Sequence, residues 1–347
     1  MLCMNHVAQA QVARVAGVNQ ATVSRALSGA PCISPETAAR VKAAARQLGY
    51  HPDPLLTAVA ASRWRDDGKS RGLTFGFISQ FRHARAGMDP ENFEGAEARA
   101  AETGCRLDHF FLEDYRNCAV LQRTLLARGL RGLIVASFFE EHPAVMLNWN
   151  KFCTVSIGMT PYQPPLHAVA QDSYDGALVA WRQVLDYGYR RPGFAITLHA
   201  LPTHVEDDEA RQSAALFLQQ KDRAPSERIP PFFHSVGDSY DTQARDFIAW
   251  YRRWKPDVVI GFNNLEMAFL SHDAKVRIPD QVGFAALTTR STLGIAGVKD
   301  AAQEVGAAAV DLLLLTLRTN QWGLPTTRIR HYLEPQWLDG PTLPRRQ

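Results

Sequence analysis

A stretch near the start of the chain, AGVNQATVSRALSG, carries side chains suited to contacts with nucleic acid. Arg25 can donate two parallel hydrogen bonds to O6 and N7 of guanine, and Gln20 and Ala21 would face base edges. Thr22 and Ser24 have short hydroxyls that suit phosphates or base edges. The chemistry that these residue types favour is DNA recognition, provided that one helix presents them together.

The sequence predicts three short helices around this stretch. Apolar residues at helical spacing stop at Gly17, which indicates a first helix followed by a turn. Asn19 is a good N-cap for a second helix. Ser34 and Pro35 begin a third helix that ends at Gly49. Two helices joined by a tight glycine turn are typical of a helix-turn-helix, whose second helix enters the DNA major groove.

The charge distribution also favours a polyanionic partner for the start of the chain. Residues 1–71 hold nine Lys and Arg against four acids, a net charge of +5, whereas the whole chain carries +3. The other 276 residues therefore carry −2. A basic head on a mildly acidic body indicates that the head meets nucleic acid, with an ordinary solvated surface as the alternative.

Four motifs in residues 8–53 point to a known family. They read V-A-x-x-A-G-V, A-T-V-S-R-x-L-S-G, S-P-E-T-x-x-R-V and L-G-Y-x-P. Together they resemble the DNA-binding head of the LacI/GalR family of bacterial transcription regulators, which implies a helix-turn-helix domain over residues 1–52. The DNA-binding residues expected in this head are Asn19, Gln20, Ala21, Thr22, Ser24, Arg25, Ser28 and Tyr50.

The resemblance has departures at both ends of the head. The family usually has Thr at the position of Ala8 and Asp at that of Gln11, so the first helix lacks its usual cap, a change worth about 1 kcal/mol. Residues 53–72 correspond to the family's hinge helix, which presses an apolar wedge into the minor groove. Val59 stands where the family carries the inserted leucine, and Leu56 is the alternative wedge. A plain linker is the other interpretation of this segment.

Residues 73–347 alternate between short apolar strands and amphipathic helices, with one helical stretch expected between the strands GLIVAS and FCTVSIG. This rhythm predicts a parallel, doubly wound α/β body. Its later segments resemble LacI/GalR proteins, whose two-lobed body is similar to periplasmic sugar-binding proteins. The resemblance implies crossings between lobes near residues 169, 287 and 321. Lobe one would comprise 73–169 and 288–320, and lobe two 170–287 and 321–340.

A ligand cleft is expected at the carboxyl ends of the strands, between the lobes. The family commonly places an acid where Leu265 stands and an acidic pair where Ala285 and Ala286 stand. Without these carboxylates the pocket is poorly suited to a standard hexose, because buried hydroxyls need paired acceptors. The candidate effector-binding residues are Phe81, Arg82, Asp172, Arg211, Asn264 and Glu266.

Several other functions are disfavoured. The sequence has no H-E-x-x-H, G-x-S-x-G or G-x-G-x-x-G motif, and its five cysteines form no C-x-x-C pair, so we expect no enzyme, no cofactor and no metal site. No run approaches twenty apolar residues, and the first residues lack a secretory signal. The expected location is the cytoplasm, in association with the nucleoid.

These observations predict a ligand-responsive homodimeric regulator, by family habit a repressor, that binds double-stranded, near-palindromic operator DNA. Its effector would be a small molecule, with a carbohydrate as one candidate. Dimer contacts are expected from residues 94–102 and 267–275. Two alternatives stay open: a ligand-binding module with a degenerate head, and a regulator controlled by a partner protein.

Overall fold

The computed structural model describes residues 9–27, 33–48, 50, 73–80, 82, 90–138, 145–158, 164–198 and 206–346. The chain divides into two compact units, Met1–Leu73 with Leu314–Gln321 and Thr74–Leu313 with Trp322–Gln347. Within the described ranges, no helix combines the length and apolar character needed to cross a bilayer.

The head contains the three predicted helices, α1 (Gln9–Ala16), α2 (Gln20–Leu27) and α3 (Pro35–Leu48). Their inward faces form a small core made mostly of valine and alanine. Ser34 caps α3 as predicted, because its Oγ accepts a hydrogen bond from Thr37 N at 3.2 Å. Arg40 Nε donates to the carbonyl oxygen of Ala16 at 3.0 Å and so ties α3 to the end of α1.

Lobe one of the second unit is built on a six-stranded parallel sheet in the order β11-β5-β4-β3-β1-β2. Its strands are β1 (Thr74–Ser79), β2 (Arg106–Phe111), β3 (Gly132–Val135), β4 (Cys153–Ile157), β5 (His167–Gln171) and β11 (Arg330–Leu333). The helices of this lobe are α4 (Pro90–Glu102), α5 (Cys118–Ala127) and α10 (Ala302–Arg318). The inner strands are nearly continuous apolar runs, as expected of a parallel sheet covered on both faces.

Two glycines let α4 and α10 approach backbone to backbone. A Cβ at Gly95 would lie 2.0 Å from the carbonyl oxygen of Gln303, and a Cβ at Gly306 would lie 2.0 Å from that of Asn92. No side chain fits at either position without displacing the partner helix. This crossing fixes α4, whose first turn follows β1 on the cleft side of the lobe.

Lobe two contains a second six-stranded sheet in the order β12-β10-β9-β8-β6-β7, in which only β12 is antiparallel. Its strands are β6 (Pro192–Leu198), β7 (Phe232–Ser235), β8 (Val258–Gly261), β9 (Gly283–Thr289), β10 (Gly297–Lys299) and β12 (Trp337–Leu338). Its helices are α6 (Ser173–Asp186), α7 (Glu206–Asp222), α8 (Tyr240–Trp254) and α9 (Asn264–Ala268). Trp181 and Phe194 stack with their ring centroids 5.5 Å apart in its core.

The chain crosses between the lobes after β5, after β10 and after β11. The predicted crossing near 287 is wrong, because β9 and β10 still pair within the sheet of lobe two. The predicted crossing near 321 is also wrong, because β11 pairs with β5 in lobe one. The physical reason is that β10 has only three residues and β11 is an exposed edge strand, so neither forms the longer apolar run that marks a buried strand in a sequence.

The alternation of strands and helices predicted for the body is present, with one exception. A helical stretch was expected between β3 and β4, but the described part of that connection contains only a 3-10 turn at Trp149–Lys151. The strand β7 was not predicted, since it carries two phenylalanines beside a histidine and a serine rather than a branched aliphatic run.

Candidate DNA-reading head and effector cleft

The second helix of the head is held by its inner face and capped at its start. Asn19 Oδ1 accepts a hydrogen bond from Thr22 N at 2.7 Å, which confirms the predicted N-cap. Val23 and Ala26 are buried in the head core. Gln20 is exposed and Thr22 is half-buried. The first turn of α2 is therefore free to meet another molecule while its far side is anchored.

The remaining DNA-contact predictions stand on the sequence. Ala21, Ser24 and Arg25 lie on α2, but their side chains are outside the described part of the structure. Ser28, Leu56 and Val59 also lie outside the described residues.

Tyr50 closes the head, as the family resemblance implies. Its backbone N–H donates to the carbonyl oxygen of Ala45 at 2.8 Å, and its half-buried ring packs against the head core. This position gives Tyr50 a structural role. A DNA contact by Tyr50 stays a prediction.

The ends of strands in both sheets carry residues that contact the other lobe, at the place where the predicted effector cleft would lie. Arg290, which follows β9 in lobe two, approaches Glu91 in the first turn of α4 in lobe one, with Arg290 Nε 3.4 Å from Glu91 Oε1. Gln171 at the end of β5 donates through Nε2 to the carbonyl oxygen of Lys299 at 2.8 Å. These contacts join the strand ends where parallel α/β proteins bind ligands.

In lobe two the cleft edge carries an arginine stacked on a phenylalanine. The guanidinium carbon of Arg211 lies 4.7 Å from the ring centroid of Phe262, directly after β8. Arg211 Nη1 also approaches Asp208 Oδ1 at 3.3 Å. Asn264 is exposed at the first position of α9. The structure thus brings the predicted Arg211 and Asn264 to the same end of the sheet, because both lie beside the end of β8.

Lobe one repeats this arrangement. The guanidinium carbon of Arg82 lies 4.6 Å from the ring centroid of Phe111, at the end of β2, and its Nη2 contacts Asp114 Oδ2 at 2.5 Å. The backbone N–H of Arg82 donates to Glu113 Oε1 at 2.5 Å. The predicted neighbour Phe81 lies outside the described residues. Arg82 in lobe one and Arg211 in lobe two therefore each place a guanidinium over an aromatic ring at the end of a strand, with its N–H donors beside a carboxylate.

Asp172 has a structural task in the described structure. Its Oδ1 accepts hydrogen bonds from Tyr174 N and Asp175 N, both at 3.0 Å, and so caps α6 at the first crossing between lobes. The cap explains the aspartate without a ligand. An effector contact by Asp172 stays a prediction.

Glu266 is placed differently from its prediction as an effector contact. It is fully buried, and its carboxylate is occupied by neighbours in the protein. Oε1 accepts from Thr197 Oγ1 at 2.7 Å and lies 2.9 Å from His234 Nε2, and Oε2 accepts from Asn263 N at 3.2 Å. The sequence position suggested a cleft residue, but the third residue of α9 points back toward the sheet.

The network around Glu266 extends through His234, which the sequence did not single out. His234 Nδ1 lies 2.9 Å from Gln243 Oε1, and Gln243 Nε2 donates to the carbonyl oxygen of Asp238 at 2.7 Å. Because the glutamine amide nitrogen is committed to Asp238, its oxygen faces the ring. Both ring nitrogens of His234 thus lie beside side-chain oxygens, Nδ1 beside Gln243 and Nε2 beside Glu266 and Thr197.

A second histidine that the sequence did not single out, His109, stands near the cleft edge of lobe one. Its ring stacks on Phe93 with centroids 4.1 Å apart, and its Nε2 lies 2.8 Å from Ser79 Oγ. Burial, reinforced by the charge of Arg82, lowers the pKa of His109 to about 4. The ring is therefore neutral near pH 7. The alternation of side chains along β2 could have predicted that His109 faces α4. No sequence signal predicted that it would join an aromatic cluster there.

The positions that lack the family's usual acids are apolar parts of lobe two. Ala285 and Ala286 are fully buried inside β9, and Leu265 packs partly against the core. Within the ranges that the structure describes, no group of three or more His, Cys, Asp or Glu side chains is arranged to hold a metal ion.

Comparisons with known proteins connect this architecture to one family. Residues 10–53 match the sequence profile of the bacterial regulatory proteins, lacI family. The ribose operon repressor of Bacillus subtilis (strain 168) is 26% identical over 315 residues, which cover 87% of this chain and 89% of that protein. The sucrose operon repressor of Escherichia coli is 28% identical over 280 residues, which cover 78% and 80%.

Solved structures show the same fold. The transcriptional regulator CelR in complex with cellobiose aligns with a TM-score of 0.57 at 19% identity, over 97% of this chain and 99% of that one. The lac repressor dimer bound to operator and the anti-inducer ONPF aligns with a TM-score of 0.55 at 17% identity, over the same shares. Residues 10–53 therefore form a lacI-family DNA-binding domain, and the chain as a whole has LacI-family repressors, which are not enzymes, as its sequence relatives and shares its two-sheet fold with regulators that have a periplasmic-binding-protein-like body.

Proposed function

We propose that the protein is a ligand-responsive repressor that binds a near-palindromic operator as a homodimer. The observation that carries this proposal is α2, whose first turn is capped by Asn19 and begins with the exposed Gln20, and whose inner face is anchored by Val23 and Ala26 in the head core. A helix held in this way can enter a major groove with its first turn against base edges. Two heads related by a two-fold axis would require an inverted repeat in the DNA.

The homodimer would use residues 94–102 of lobe one and 267–275 of lobe two. Sedimentation equilibrium measures this directly, and a mass of two chains at micromolar concentration is the expected result. A monomer at that concentration, also in the presence of DNA, would contradict the proposed assembly.

The effector we propose is a small, oxygen-rich molecule, a sugar or a related metabolite. Arg82 and Arg211 place one stacked guanidinium on each lobe, and guanidinium groups donate several hydrogen bonds in a fixed geometry to oxygen acceptors. Asn264 adds an exposed amide, and Phe81 follows the same strand as Arg82. The names of the ribose and sucrose operon repressors support this ligand class.

Selection of bound duplexes from a random DNA pool tests the operator. An enriched inverted repeat is the expected outcome, and its absence would favour a ligand-binding module with a degenerate head. Calorimetric titration with a panel of sugars and metabolites then tests the effector. We expect Arg211→Met and Arg82→Met to lose the heat of binding that Arg245→Met, on the exposed face of α8, retains. A chain that selects an operator but binds nothing in the panel would favour control by a partner protein.

A further inference from the structure

Among the described residues, ion pairs join parts of the two lobes that are far apart in sequence at two places. The first connects Glu206, the first residue of α7 in lobe two, to Arg330, the first residue of β11 in lobe one. Arg330 Nη1 lies 2.7 Å from Glu206 Oε2, and Arg330 Nη2 donates to Glu206 Oε1 at 2.8 Å. The contact from Nη2 is a hydrogen bond, whereas the contact from Nη1 is an ion pair without hydrogen-bond geometry, so one charge-assisted hydrogen bond and a second close charge contact hold the pair. Arg328 Nη1 adds positive charge 4.0 Å from the same carboxylate.

The second pair joins the same lobes at another place. Arg290 follows β9 in lobe two, and its Nε lies 3.4 Å from Glu91 Oε1 in the first turn of α4 in lobe one. Arg290 Nη2 also lies 3.2 Å from Asp300 Oδ2, in the segment that follows β10. Arg290 is thus held between lobe one and the second crossing.

Both pairs lie beside the chain segments about which the lobes must turn. Arg330 is on the strand that leads into the third crossing, and Asp300 is in the second crossing. Asp207, next to Glu206, accepts a hydrogen bond from Ser173 Oγ at 3.0 Å, directly after the first crossing. A change in lobe angle therefore moves one partner of each pair relative to the other.

The two pairs are weak enough to open and close at equilibrium. All four side chains are partly exposed, so solvent and salt screen the attraction and each pair contributes little by itself. A two-state equilibrium responds to such small differences when they distinguish its two states. The pairs also differ from the Lys299 and Glu304 pair, which joins residues only five positions apart.

We propose that Glu206 with Arg330 and Glu91 with Arg290 form an inter-lobe latch that stabilises the lobe arrangement seen here. This inference rests on the proposed effector control, since the effector would act by changing the lobe angle that the latch holds. Making or breaking the latch then couples the cleft to the lobe angle without any contact between effector and DNA.

The test measures the distance between the lobes in the full-length chain without effector or DNA. Spin labels on noncanonical residues at Arg123 in α5 and Ala249 in α8, both exposed, report one inter-lobe distance by pulsed dipolar spectroscopy. Dilution of labelled chain into unlabelled chain removes distances between subunits. We expect a second inter-lobe distance to gain population when the latch is weakened. Glu206→Gln, Arg330→Gln and Glu91→Gln should each change the ratio of the two populations about two- to fivefold, the factor implied by the coupling energies of exposed pairs.

The controls separate the latch from general effects of charge and folding. Glu206→Gln combined with Arg330→Gln should shift the distance no further than either change alone, because both remove one interaction. Arg277→Gln, which breaks an exposed pair with Asp280 inside lobe two, should leave the distance unchanged. Raising the salt concentration to about 1 M should reproduce the shift in the unaltered chain.

An unchanged distance in the chain carrying both Glu206→Gln and Glu91→Gln, at low and at high salt, would overturn the latch. The readout needs neither operator nor effector. If the substitutions shift the inter-lobe distance as expected but the chain selects no operator, the latch is supported and the proposed function is contradicted.

Discussion

His234 Nε2 lies 2.9 Å from Glu266 Oε1 in the interior of lobe two, and both side chains are buried. The pair connects β7 to the start of α9, and Thr197 on β6 joins it through Glu266 Oε1. It thereby fixes the segment that presents Phe262 and Asn264 at the cleft edge. The carboxylate of Glu266, one residue after the position where the family commonly has an acid, thus supports the end of β8 from inside the lobe.

Glu266→Gln should destabilise the protein strongly. The glutamine keeps the size of the side chain, but its amide nitrogen would replace a buried oxygen that accepts from Thr197 or Asn263, and a buried donor left without its acceptor costs about 1–3 kcal/mol. Urea unfolding at pH 7 measures the loss. Asp280→Asn, which breaks an exposed pair, is the matched control and should change stability by less than about 0.5 kcal/mol. Similar stabilities for the two variants would refute the buried pair.

Three glycine-to-alanine substitutions test the crossing of α4 and α10. Gly95→Ala and Gly306→Ala should each destabilise by more than about 2 kcal/mol, because the new Cβ meets backbone 2.0 Å away. Gly176→Ala, inside α6, meets nothing nearer than 3.8 Å and should stabilise by about 0.5–1 kcal/mol. Thermal and urea unfolding measure the change in the free energy of unfolding for each variant, including its sign. Equal effects at Gly95 and Gly176 would mean that the two helices do not approach so closely.

His109 should make the protein less stable as the pH falls from about 6.5 to 4. Its pKa in the folded protein is lowered to about 4 from an ordinary 6.5, so in this window the unfolded chain binds a proton that the folded chain does not. Urea unfolding at pH 7, 6 and 5 measures the slope. His109→Gln should reduce the slope. An NMR titration midpoint of His109 above 6 would contradict its placement in the aromatic cluster.

The parts of this fold that depend on neighbours in sequence could be predicted from it. The caps at Asn19 and Ser34 are examples, because each bonds to a backbone N–H three residues on. The long-range parts could not. His234 and Glu266 meet only because β7, β6 and β8 are neighbours in the sheet, and strand order is not written in local periodicity. The strand β11 lies exposed at the edge of its sheet and therefore lacks an apolar pattern. Its lobe was assigned wrongly because the sequence did not mark it as a strand.

The central claim is that α2 reads DNA sequence, and Arg25 tests it most directly. Fluorescence anisotropy at one fixed salt concentration gives the affinity of each chain for the selected inverted repeat and for a scrambled duplex. We expect the unaltered chain to prefer the repeat by about 10³-fold or more. Arg25→Ala should lose about 1–3 kcal/mol on the repeat alone, whereas Arg46→Ala, on the exposed face of α3, should weaken both duplexes equally or not at all. Equal affinity of the unaltered chain for the two duplexes, or an Arg25→Ala chain that keeps the full preference, would contradict the account.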